Sequence, residues 1–74
     1  MEGIMAQYVQ AWEITGPKFS GYVYRQDLAL SKLREAGKGA EMRTTTIVRH
    51  DNGDREYLPG TVAAEVQRYR EGNA

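Results

Sequence analysis

The sequence predicts a small α+β domain: an antiparallel sheet of two hairpins, about 7–14/21–25 and 42–49/54–58, packed against a helix over 26–36, with a C-terminal helix over 61–71. Three observations carry that expectation. Asn52-Gly53 separates two β-favouring runs, Thr44-Thr45-Thr46-Ile47-Val48-Arg49 and Arg55-Glu56-Tyr57-Leu58, and Asn-Gly is the strongest short-range hairpin signal because both central residues of a type I′ turn need positive φ. Ala29, Leu30, Leu33 and Ala36 share one face of a helix, with Asp27 suited to its first turn and Gly37 to the position just past its end. Val62, Val66 and Tyr69 recur at i, i+4, i+7, the spacing of a narrow buried stripe, with Thr61 as the expected N-cap.

The elements follow in order. The first 14 residues satisfy two templates: on a helical wheel Met1, Ile4, Met5, Tyr8, Val9, Ala11 and Trp12 share one face, whereas Gln7 to Ile14 is rich in aromatic and β-branched residues that prefer a pleated, half-buried surface. The strand is preferred. Gly16-Pro17 ends it, since proline lacks an amide donor and glycine opens turn geometry. Gly21-Tyr22-Val23-Tyr24 then reads as a short strand returning antiparallel to the first, and if Tyr22 and Tyr24 share a strand face they project together. No internal repeat or low-complexity segment is visible.

Composition narrows the function. Residues 1–74 make one domain, and a chain of this length buries only roughly 60% of the surface its unfolded form exposes. No cysteine is present to staple the fold, so close packing or an oligomeric partner is needed. Ten basic side chains balance ten acidic ones, without the basic excess that phosphate contacts demand of a nucleic-acid binder. No apolar run approaches the ~20 residues of a membrane span, and no signal-peptide pattern opens the chain. The expectation is a soluble protein of the reducing cytoplasm, with no membrane partner.

Catalytic chemistry finds little support in the residues. His50 is the single histidine, so a zinc site would lack its usual ligands, and its place beside the turn suggests a solvated residue. Asp51-Asn52-Gly53-Asp54 lacks the alternating ligands and distal glutamate of a calcium loop, and Asp and Asn favour turns by bonding their own backbone. Asp27, Glu35, Glu56 and Glu71 each have a basic residue within four positions, unlike an acid/base pair in an apolar pocket. Ser20 and Ser31 lie outside any nucleophile motif, and Gly37-Lys38-Gly39 reads as a helix stop. No enzyme, no metal and no cofactor is expected.

A two-residue Asn52-Gly53 turn would set Arg49 opposite Glu56, Val48 opposite Tyr57 and Ile47 opposite Leu58, leaving apolar groups on both sides of the hairpin. It would also set Asp51 against Asp54, a mildly repulsive pair that favours a looser four-residue loop. Tyrosine, tryptophan and arginine are the residues enriched at interface hot spots. The candidate partner-binding residues are therefore Tyr22, Tyr24, Arg49, His50, Arg55 and Tyr57.

In size, charge balance and lack of a catalytic signature the chain resembles the small accessory and anti-defence proteins of bacteriophages, anti-CRISPR inhibitors among them. That resemblance implies a stoichiometric inhibitor or adaptor whose partner is another protein or protein complex of the host or phage. The segment Asp27-Leu28-Ala29-Leu30-Ser31-Lys32-Leu33-Arg34-Glu35-Ala36-Gly37, followed by a hairpin, resembles the recognition helix and wing of winged-helix proteins. On that alternative Lys32, Arg34, Arg49 and Arg55 would contact DNA, although residues 15–25 are too short and too rich in Gly and Pro to supply the preceding helix. A structural homo-oligomer seamed along Val62, Val66 and Tyr69 is the third alternative.

Overall fold

The structure, a computed structural model, describes residues 6–72; Met1, Ile4 and Met5 of the helical-wheel reading lie outside them. Residues from Gln7 onward form the preferred strand. The chain runs β1 (Gln7–Thr15), β2 (Ser20–Val23), α1 (Gln26–Glu35), β3 (Glu41–Arg49), β4 (Arg55–Pro59) and α2 (Ala63–Glu71). One antiparallel sheet has the order β2-β1-β3-β4, so α1 carries the chain from the β2 edge across β1 to β3. This is the expected α+β fold, with both hairpins and both helices in place.

Both helices lie on one side of the sheet. Ile14 and Val23 meet Ala29 of α1 and Ala36 at its end, with Trp12, Phe19, Leu33 and Met42 packed around them. Among the described residues' eight buried apolar side chains, Ala11, Ala29, Ala36 and Ala63 are half, which lets backbones approach closely but leaves little apolar volume. Gly16 belongs to that close approach: a Cβ there would lie 2.8 Å from the Ala36 carbonyl oxygen and from Cβ of both Ala36 and Ala40. The α1 end is held by Gly37 at φ +102° and by the Lys18 amide, which donates to the Ala36 carbonyl at 2.9 Å. Leu30, expected on the buried face, is 47% exposed; the inward stripe is Ala29, Leu33 and Ala36.

The second helix differs more from expectation. It begins at Ala63 after an extended Val62, and its buried residue is Ala63, while Tyr69 is 77% exposed. The Val62, Val66, Tyr69 stripe is therefore not its buried seam. Thr61 does not cap it either: its hydroxyl donates to the Leu58 carbonyl at 2.6 Å and lies 2.7 Å from the Thr46 hydroxyl. The first α2 amide is satisfied from the sheet instead, by the Gln10 side-chain oxygen.

The hairpin register is one residue off the expected one. Arg49 pairs with Arg55, Val48 with Glu56, Ile47 with Tyr57 and Thr46 with Leu58. The cause is the turn. Among the described residues none other than glycine has positive φ, so Asn52 is not left-handed and a type I′ turn is not formed. Gly53, at φ +93°, donates its amide to the His50 carbonyl, and the His50 amide closes onto the Asp54 carbonyl, both at 2.9 Å. Asn52 spends its side chain on the loop, its Oδ1 accepting from the Asp54 amide at 2.9 Å. A three-residue loop with a glycine in the left-handed region shifts the returning strand by one.

The architecture also repeats, although no repeat is visible in the sequence. β1-β2-α1 and β3-β4-α2 are the same strand-strand-helix unit, and the nine-residue β1 and β3 begin 34 positions apart, at Gln7 and Glu41. Position for position these two strands share no identical residue. Yet the 34-residue step carries Ala11 onto Thr45, its own partner in the ladder, and Ile14 onto Val48, each of the four 0% exposed. A local twofold relation thus passes between Ala11 and Thr45.

Candidate functional site

The side of the sheet without helices presents Val9, Ala11 and Glu13 of β1, Tyr22 of β2, Arg43, Thr45, Ile47 and Arg49 of β3, and Arg55 and Tyr57 of β4, because alternate residues of a strand face the same way. Tyr22 stands opposite Glu13, and Tyr57 stands opposite Ile47. These are equivalent positions of the two units, since Glu13 and Ile47 are again 34 apart. Although they start from opposite edges of the sheet, the two rings converge to 5.5 Å between centroids, tilted by 38°. The diagonal between them crosses Ala11 and Thr45, which are fully buried on a side that carries no helix.

This aromatic bridge is only partly covered: Tyr22 is 36% and Tyr57 45% exposed. Burial against the sheet and the neighbouring Glu13 carboxylate push the Tyr22 phenol above its ordinary pKa. Beneath the pair, the Thr45 hydroxyl is buried with no hydrogen-bond partner. Charge rings the aromatic centre. Glu13 and Arg43 close on each other at 2.8 Å, whereas Arg49 and Arg55, directly opposite in the ladder, form no ion pair with a described residue. Like charges facing each other across strands are unfavourable without an outside counter-charge. An open concavity of about 410 Å³, lined by Gln7, Arg49, His50, Asp51 and Arg55 among others, lies beside them.

The six residues expected to bind a partner therefore divide. Tyr22, Tyr57, Arg49 and Arg55 share the open side. Tyr24 lies just past the end of β2 at Val23 and is 51% exposed. His50 points to the helix side, where Nε2 lies 3.0 Å from Glu56 Oε1. Glu56, which the expected register would give to Arg49, is instead gripped by Arg70 of α2 through two hydrogen bonds, at 2.8 and 3.1 Å. The Arg70 bonds first, and that from His50 second, hold the Glu56 carboxyl down at about 2. This trio fastens α2 to the hairpin.

Sequence reasoning passed over Gln10 and Arg70, and gave Glu56 to Arg49. Their partners lie on distant elements, and no local periodicity announces them. The other chemistry-bearing positions stand apart. Among the described residues no group of three or more histidine, cysteine or carboxylate side chains comes together in metal-binding fashion, and no helix is long and apolar enough to cross a membrane. Lys32 of α1 lies 5.3 Å over the Phe19 ring and bonds Glu35, and strands precede α1 where a helix-turn-helix pair needs a helix. Comparison with protein-family models, curated proteins and solved structures finds no match to this chain.

Proposed function

We propose that this chain is a non-enzymatic protein-interaction module that docks a protein partner on the open side of its sheet. The observation that carries the reading is the convergence of Tyr22 and Tyr57 at the centre of that side, with Arg49 and Arg55, which form no ion pair with a described residue, at its rim. Paired aromatics in the middle of a surface with charge at its margin match the anatomy of binding hot spots. Covering the pair removes apolar ring surface from water, and an incoming carboxylate relieves the Arg49–Arg55 repulsion. In the form that the phage-protein resemblance implies, the partner is a bacterial defence or host complex, bound stoichiometrically.

The test is affinity capture from bacterial lysate with three baits: the unaltered chain, Tyr57→Glu, and Leu30→Glu as an exposed control on α1. A partner held by the unaltered chain and the control but lost with Tyr57→Glu, at unchanged circular dichroism, supports the reading. A partner captured equally by all three baits refutes it.

A further inference from the structure

We infer that the partner of the open side is a second copy of this chain, packed sheet against sheet about a twofold axis perpendicular to the strands; the inference rests on the proposed reading of that side as a docking surface. The charge pattern selects both occupant and orientation. On β3, Glu41 and Arg49 stand on the open side, each four residues from Thr45 and in opposite directions, so each lies roughly 13 Å from the centre. Both are exposed, and neither forms an ion pair with a described residue. A twofold axis lying across the strands at Ala11 and Thr45 reverses β3 over its copy. Arg49 of each chain then meets Glu41 of the other, twice over, with Arg55 alongside.

An axis along the strands between β1 and β3 would instead bring the Arg49–Arg55 pairs of the two copies to the same end of the interface, with Arg49 over Gln7 and no carboxylate opposite, and repulsion disfavours it. The Glu13–Arg43 bridge is internally closed and demands nothing from the partner. At the centre the Tyr22–Tyr57 pairs of the two copies meet, forming an aromatic core ringed by charge. In this arrangement β1 and β3, nine residues each, lie over their own copies, and the edge strands, which pair at opposite ends of the sheet, flank them.

Sedimentation equilibrium of the intact chain tests this. The expected result is a monomer–dimer equilibrium with a dissociation constant in about the micromolar range, weakened roughly tenfold or more by Arg49→Glu or by Glu41→Arg. The decisive variant is the double exchange Glu41→Arg with Arg49→Glu in one chain. Each contact across the axis joins position 41 to position 49, so the double exchange restores the dimer that either single change weakens. These residues are exposed, and circular dichroism confirms that the variants fold. An unaltered chain that stays monomeric up to roughly 1 mM, or a double exchange no better than the singles, overturns the inference. If the monomeric chain still captures a different protein in a Tyr57-dependent way, the docking-surface reading stands without it; if capture is Tyr57-independent, both fall.

Discussion

The side-chain oxygen of Gln10, in the middle of β1, accepts the backbone amide of Ala63 at 2.7 Å, so the first turn of α2 is capped by a residue 53 positions earlier in the chain. Gln10 Nε2 meanwhile donates to the carbonyls of Ala11 and Thr45, at 3.1 and 3.2 Å. One carboxamide thus ties both central strands to the start of the last helix. Gln10→Ala leaves the Ala63 amide without its acceptor and lowers stability by about 1 kcal/mol, the usual value of a helix cap. Urea denaturation measures the loss, and hydrogen exchange should place the added opening in α2.

Thr45→Val should stabilise the protein. The Thr45 hydroxyl is buried without a partner, and replacing it by a methyl of similar size removes an unsatisfied polar atom. The expected gain is about 1 kcal/mol. Thermal unfolding compared with the unaltered chain checks both sign and size.

The Tyr22–Tyr57 contact should appear as a coupling energy. Tyr22→Leu and Tyr57→Leu each keep apolar bulk and lose the ring; in a double-mutant cycle the two losses should fail to add by about 0.5–1.5 kcal/mol. Additive losses would mean that the rings do not interact in solution.

Acid should loosen α2. The Glu56 carboxyl titrates near 4.5 when free and at about 2 in the fold, so the unfolded chain takes up its proton first as pH falls. The stability from the Arg70 and His50 bonds is full above pH ~4.5 and is lost as pH drops through ~2. Glu56→Gln lacks that dependence. Melting curves of the two proteins should lie apart near neutral pH and converge in strong acid.

Gly16→Ala should cost about 1–3 kcal/mol, because the new methyl meets the Ala36 carbonyl as well as two Cβ atoms. Melting temperature is the readout. Ala36→Gly in the same chain relieves the contact with the Ala36 methyl but not those with the Ala36 carbonyl and the Ala40 methyl, so rescue should be partial.

What the residues announced in advance was local. Tyr8, Val9, Trp12 and Ile14 marked β1, Asp27 and Gly37 bounded α1, and Asn52-Gly53 marked a hairpin, because each signal acts within a few positions of itself. The hairpin register was not legible. It depends on Asn52 keeping a negative φ and turning its side chain to the Asp54 amide, and both outcomes suit the same dipeptide. Nor did spacing within α2 reveal that Ala63 and Arg70 attach the helix. Their partners Gln10 and Glu56 belong to strands whose register had first to be known. The meeting of Tyr22 with Tyr57 needs the whole strand order.

The likeness of the two strand-strand-helix halves bears on how copies of this chain can entangle. The halves are joined through Lys38, Gly39 and Ala40, and around Gly39, at φ +86°, a Cβ would meet nothing within 4 Å. Their main junction is the β1–β3 ladder, nine residue pairs that form equally well within one chain or between two. If the connection opens, the first half of one molecule can take the second half of another without altering a single pairing. The fold thus carries its own route to exchanging halves, and residues 38–40 are where lengthening or shortening the chain would switch it.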